Sequence, residues 1–237
     1  MNNVRTVSDT KRAFYTLHTR PINSIYRRVV DELMVEMHLL SVNADYRYDP
    51  VYGLGVVTAF DRFMQGYRPD ADKPAIFDAL CRSIETDPQR YRQDAEQLQS
   101  EAVSWTSEKF LDQVQRLSEA PTDGIFGALR SVADNPKFKY SRLFAIGLYT
   151  LLEIMDPDLL KDEKQRNEAL QTVSEALKLS ADKMQKDLEL YRSNLEKVAQ
   201  ARIVMEDILK ADRKKKEERA KAKDAMTTPP TSSPETT

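Results

Sequence analysis

Two histidines, His18 and His38, and one cysteine, Cys81, supply all the imidazole and thiol chemistry this chain contains. Glu32, Glu36 and His38 lie within two helical turns of one another, the spacing that could carry a carboxylate-bridged metal. Helical di-metal sites need Glu-x-x-His twice, and this sequence has it nowhere. Gly53-Leu-Gly55 is a lone Gly-x-Gly without the third glycine or preceding strand of a dinucleotide loop, and no Walker lysine follows any glycine pair. Cys81 falls on an apolar helical stripe, where a small buried thiol is the default, and a nucleophile would need a base that cannot be assigned. The inventory therefore points away from an enzyme, with no metal or cofactor.

The elements that must position these residues are helices. All six glycines fall between Gly53 and Gly147, and β-branched runs bounded by turn residues are missing. Charged residues make up 31% of the chain with a net charge of −2, which argues against a dedicated nucleic-acid binder. The charge is uneven. Arg5, Lys11, Arg12, Arg20, Arg27 and Arg28 face only Asp9 within residues 1–30, residues 212–224 are also basic, and the middle is acidic. Two basic ends on an acidic body suit anionic surfaces, although solvated faces explain most such runs. A single cysteine excludes an internal disulfide and fits a reducing compartment. The first residues lack the apolar core of a secretory signal and no stretch is long enough to span a bilayer, so any membrane role is expected to be peripheral.

The most apolar stretch runs from Lys137 to Met155. From Leu143 onward only Thr150 and Glu153 are strongly polar, which predicts a buried central helix entered at Pro136 and ended by Asp156-Pro157. Gly147 in its interior implies close approach of a neighbour. Before it, Ser8-Asp9 caps a short helix through Leu17, and Pro21 opens a second that reaches Val42. That second helix carries Ile22, Ile25, Tyr26, Val29, Val30, Leu33, Met37 and Leu40 on one face. Residues 43–52 read as a loop, and helices follow over 52–65 and 75–86. A more polar helical region extends to Leu117 with an interruption near Thr106, and a short helix spans 125–133.

No Gly or Pro occurs between Pro157 and Pro229, which permits one long helix. Alternating steps of four and three from Leu177 give Ala181, Met184, Leu188, Tyr191, Leu195, Val198, Arg202, Met205 and Leu209, a coiled-coil-like seam broken only by Arg202. It either pairs with a partner or folds back on the body. The fold expected is thus all-α: a globular multi-helix domain over 1–157 around a buried central helix, a long helix over 158–222, and a disordered tail over 223–237.

Five ordered blocks carry a family resemblance: Val7 to Phe14, His18 to Met34, Tyr46 to Tyr67 with Phe-Met-Gln-Gly-Tyr, Tyr140 to Leu148, and Leu190 to Lys197. Over about residues 5–210 the chain resembles the thylakoid formation protein family, the photosystem II biogenesis and repair proteins of cyanobacteria and chloroplasts. The resemblance implies a non-enzymatic accessory factor that binds and stabilises the membrane-bound FtsH protease complex. It also implies a peripheral location on the cytoplasmic side of the thylakoid membrane. Without the transit peptide of plant members, the chain is closer to the cyanobacterial branch. An alternative is a structural thylakoid protein that binds anionic lipid through its basic ends. The resemblance defines no binding surface, and the sequence offers two candidates. One is the aromatic, charged loop Tyr46, Arg47, Tyr48 and Asp49. The other is the long-helix stripe flanked by Arg192, Asn194 and Lys197.

Overall fold

Every residue from Val51 to Phe60 is buried, and so is every residue from Leu143 to Leu152. Those two runs are the middles of a helix pair around which the rest is laid. The computed structural model describes residues 5–227, and among them there are ten helices and no strand. In order they are α1 (Val7–Leu17), α2 (Ser24–Ser41), α3 (Pro50–Phe63), α4 (Asp72–Ser83), α5 (Pro88–Ala102), α6 (Ser107–Gln115), α7 (Gly124–Ala133), α8 (Arg142–Met155), α9 (Glu163–Ala176) and α10 (Ala181–Thr227).

The α3–α8 pair is possible because each helix presents a glycine to the other. A Cβ on Gly55 would overlap the Leu143 carbonyl and lie 2.9 Å from the Gly147 nitrogen, and one on Gly147 would overlap the Val51 carbonyl. The two backbones therefore touch, which side chains of any size would prevent. Around this crossing lie fully buried large side chains such as Phe60, Phe77, Phe126, Phe144 and Met34. The expected central helix is thus present, but it shares the centre with α3.

Local chemistry explains the boundaries and several departures from the sequence reading. Thr6, not Ser8, caps α1: its hydroxyl accepts from the Asp9 amide while the Asp9 carboxylate accepts from the Thr6 amide, a reciprocal capping box. Asn23 caps α2, so Pro21 lies before the helix rather than in its first turn. Ser141 caps α8, so the helix starts six residues after Pro136. Asp49 before Pro50 and Asp87 before Pro88 are cap-plus-proline starts for α3 and α5. Thr106 caps α6, the predicted interruption.

The stretch after Pro157 is two helices, not one. Leu177 is buried, Lys178 adopts a left-handed φ of 59°, and the Leu179 amide donates to the Ser174 carbonyl at 2.8 Å, which closes the end of α9. Ser180 then caps α10, its hydroxyl accepting from the Lys183 amide at 3.3 Å.

The chain divides into two compact units, Met1–Leu195 and Glu196–Thr237, so the first unit runs past the expected boundary at 157. Within it, Met184, Leu188 and Tyr191 of the coiled-coil-like seam are core residues. The described part of the second unit is the continuation of α10 to Thr227, with exposed Ile203, Val204 and Ile208. Residues 223–227, expected to be disordered, are helical, and the rest of that expected tail, 228–237, lies outside the described residues.

Candidate functional site

The loop between α2 and α3 carries the first four candidate residues, and three of them turn inward. Tyr46 packs edge-on to Tyr52 at 5.7 Å between ring centroids, and Tyr48 packs on Tyr91 at 5.2 Å. The Tyr48 hydroxyl donates to the Asp94 carboxylate at 2.7 Å, while the Arg90 guanidinium lies 4.1 Å from the centre of the Tyr48 ring. Burial raises both phenols well above the usual tyrosine range. Gly53 is what admits Tyr48, because a Cβ there would overlap the Tyr48 hydroxyl.

Asp49 is only 7% exposed and caps α3, accepting from the Tyr52 amide at 2.8 Å. Burial pushes its carboxyl up to about 7, against the opposing pull of the Tyr52 and Val51 amides. Arg47 alone of the four is exposed, and it donates to the Tyr46 carbonyl at 2.8 Å. This loop fills the junction of α3 and α5.

The residues that suggested chemistry are held apart. His38 Nδ1 sits 2.9 Å from the Thr10 hydroxyl and ties α1 to α2, and burial lowers its basicity as it does that of His18. Glu32 accepts from Arg28, and Glu36 from Arg142. Burial raises the Cys81 thiol to about 12, far from thiolate chemistry at neutral pH. No group of three or more metal-ligating side chains is found among the described residues.

What the first unit does offer is an open groove of about 730 Å³ between α2 and the start of α10. Val35, Leu39 and Leu190 give it an apolar strip. Leu39 is 59% exposed and Leu190 47%, which is high for leucines in a helical body. Arg27, Arg28, Asp31 and Asn194 also line it. The Arg142–Glu36 ion pair, 2.7 Å long and half-buried, lines it too, so the groove is an apolar strip between charged and polar walls.

Of the α10 candidates, only Asn194 lines the groove. Arg192 is two residues away, about 200° round the helix, and points to solvent elsewhere. Lys197 belongs to the second unit and is exposed. The groove was legible in part: Val35, Leu39 and Val42 follow each other at steps of four and three, a second apolar stripe beside the core face of α2.

The basic N-terminal stretch is neutralised by the fold. Arg5 pairs with Glu85, Lys11 with Asp31, Arg12 with Asp9, Arg20 with Asp72 and Arg28 with Glu32. Among the described residues only Arg27 of this group has no ion-pair partner.

The family profile for "Thylakoid formation protein" matches residues 6–220. The chain belongs to the thylakoid formation protein family. Protein Thf1 of Nostoc punctiforme is 60% identical over 233 residues, covering 98% of this chain and 99% of that protein. Protein Thf1 of Trichormus variabilis is 60% identical over 231 residues, covering 97% and 99%. The solved structure of Psb29 superimposes with a TM-score of 0.79 at 45% identity, covering 90% of this chain and 98% of that one. This thylakoid formation protein thus shares its all-helical architecture with a solved relative. None of its described helices is long and apolar enough to cross a membrane.

Proposed function

We propose that the protein is a non-enzymatic accessory factor for photosystem II biogenesis and repair that binds and stabilises the membrane-bound FtsH protease complex. It works as a peripheral protein on the cytoplasmic side of the thylakoid membrane. Membership of the thylakoid formation family supports the process. The observation that carries the binding role is the α2–α10 groove, where Leu39 and Leu190 remain exposed beside the half-buried Arg142–Glu36 pair. An exposed apolar strip with polar walls is the usual form of a helix-accepting groove. Asn194 belongs to that contact, and the Tyr46 to Asp49 loop supports the body with only Arg47 free to touch a partner.

The test is affinity capture of the tagged full chain from gently solubilised membranes, compared with a Leu39→Asp/Leu190→Asp variant. FtsH subunits should be enriched by the parent chain and fall at least about tenfold in the variant, with an unchanged melting temperature. Equal enrichment by both chains would remove the groove from the reading. Arg192→Glu and Lys197→Glu, on other directions of α10, report whether a second face contributes.

The alternative, direct binding of anionic lipid through basic ends, finds little support at the N-terminal end, where carboxylates answer five of the six cations. At the C-terminal end the exposed run Arg213 to Lys216 favours it.

A further inference from the structure

The second unit, taken alone, divides its charges by face. At about 100° per residue, one half of the helix circumference over 196–219 holds Lys197, Val198, Ala201, Val204, Met205 and Ile208, and then Arg213, Lys215, Lys216 and Arg219. Arg202 falls in the same half, and Asp212 is its one acid. The other half holds Glu196, Glu206, Asp207, Glu217 and Glu218, with Lys210 and Lys214. One face is therefore mainly apolar in its first half, with Lys197 and Arg202, and mainly cationic in its second, while every carboxylate of 196–219 but Asp212 is turned away from it. Val204 is 59% exposed and Ile208 56%, and every residue from Lys210 to Arg219 is exposed. Ile203, exposed on the acidic half, is the exception.

We infer that this face of α10, residues 197–219, is a docking surface for an anionic lipid bilayer. It lies in the interface with Val204 and Ile208 entering the acyl boundary and Arg213, Lys215, Lys216 and Arg219 on the headgroups. The inference rests on the peripheral-membrane part of the function proposed above and not on the protease. A second copy of the chain fits the face poorly. Parallel pairing would set the two cationic ends against each other, and antiparallel pairing would set each cationic end against the partner's apolar half. A self-pairing seam is also a narrow stripe, whereas this face spans about half the circumference, as interfacial helices do. A negatively charged plane satisfies both halves at once, the apolar area by insertion and the cations by surface potential.

The experiment is co-sedimentation of the full-length protein with vesicles of phosphatidylglycerol and phosphatidylcholine, against phosphatidylcholine alone, at low ionic strength. The protein should pellet with the anionic vesicles, and added salt should release it. Lys215→Gln/Lys216→Gln should weaken partitioning roughly 25-fold, about fivefold per charge. Lys210→Gln/Lys214→Gln removes the same charge from the opposite half and should weaken it less than about threefold. Ile208→Asp should abolish it. All these positions are exposed, so the circular dichroism spectrum should not change.

Absence of binding to anionic vesicles overturns the inference, as does an equal loss in the two double variants, which would mark a response to net charge without a face. A dimer by light scattering that Ile208→Asp dissolves, with vesicle binding intact, would assign the apolar half to a second copy and overturn it too. Because the vesicles contain no protein, failure here leaves the protease reading untouched, and failure of protease capture leaves this one untouched.

Discussion

Gly55 of α3 lies against Gly147 of α8 so closely that a Cβ on Gly55 would sit 2.9 Å from the Gly147 amide nitrogen and overlap the Leu143 carbonyl. The obstacle on both sides is backbone, which cannot swing aside as a side chain can. Gly55→Ala or Gly147→Ala should therefore force the two central helices apart, even though alanine is the better helix former by about 1 kcal/mol. Each substitution should destabilise by at least about 3 kcal/mol, measured by urea denaturation, because separating the pair disturbs every layer packed on it. A stabilised Gly147→Ala protein would mean that the helices have room to spare.

The Asp49 carboxyl, raised to about 7 by burial, makes stability depend on pH. Its unfolded value is near 3.8, so between about pH 4 and 7 the native state binds the extra proton. Stability supplied by the neutral acid is fully present below pH 4 and lost as pH rises through about 7, by up to about 4 kcal/mol. His18 and His38, both lowered by burial, act in the opposite sense, losing stability as pH falls through and below the usual histidine range. Comparison with Asp49→Asn isolates the carboxyl, because asparagine keeps the cap acceptor without the charge. Relative to the parent, the variant should gain stability from pH 5 to pH 8 in parallel denaturation series. A constant difference across that range would show that Asp49 is not titrating.

The fold class was readable because the apolar period and the punctuation agreed. Asp87-Pro88 and Thr106 each marked a helix start that the structure shows, whereas Asp49-Pro50, read as part of the 43–52 loop, is where α3 begins. The turn between α9 and α10 was not, because its left-handed residue is Lys178, where a glycine would have announced it. The central position of α3 was hidden as well: its Gly53-Leu-Gly55, which lacks the rest of a nucleotide loop, read as glycines that permit tight packing, and only the structure shows that Gly53 admits Tyr48 and Gly55 admits α8. The candidate surface was legible least. Tyr46 and Tyr48 are polar enough to suggest a binding loop, yet their rings close on Tyr52 and Tyr91. The α2–α10 groove needs two helices distant in sequence to be placed side by side. Charge misled in the same way, because Glu85, Asp31 and Asp72 lie far along the chain from Arg5, Lys11 and Arg20, which they neutralise.

Arg130 of α7 holds the irregular turn after α6, with its guanidinium donating to the carbonyls of Leu117 at 2.8 Å and Ser118 at 3.0 Å and also to that of Ala120. A fork of several donors serves several acceptors that no helix or strand satisfies. Arg130→Lys keeps the charge but loses the fork, so it should recover little of the loss seen in Arg130→Met. Both variants should fall by about 1–3 kcal/mol, and amide exchange at residues 117–120 should accelerate more than at α8. Full rescue by lysine would make charge, not geometry, the reason for arginine.

The two-unit division predicts where the chain can be cut. Met184, Leu188 and Tyr191 are buried within the first unit, so a chain ending before Ala181 exposes the surfaces they cover and should lose cooperative unfolding. A chain ending at Leu195 retains all three and should melt within a few degrees of the parent, since few core contacts are removed. Met184→Ala in the full chain should cost about 2–5 kcal/mol, the usual range for emptying a fully buried methionine position, whereas Ile208→Ala should cost under about 0.5 kcal/mol. Scanning calorimetry on the four proteins separates the cases. If the chain ending at Leu195 melted far below the parent, the second unit would be contributing to the stability of the first, and comparisons of binding between the two lengths would have to be made below both transitions.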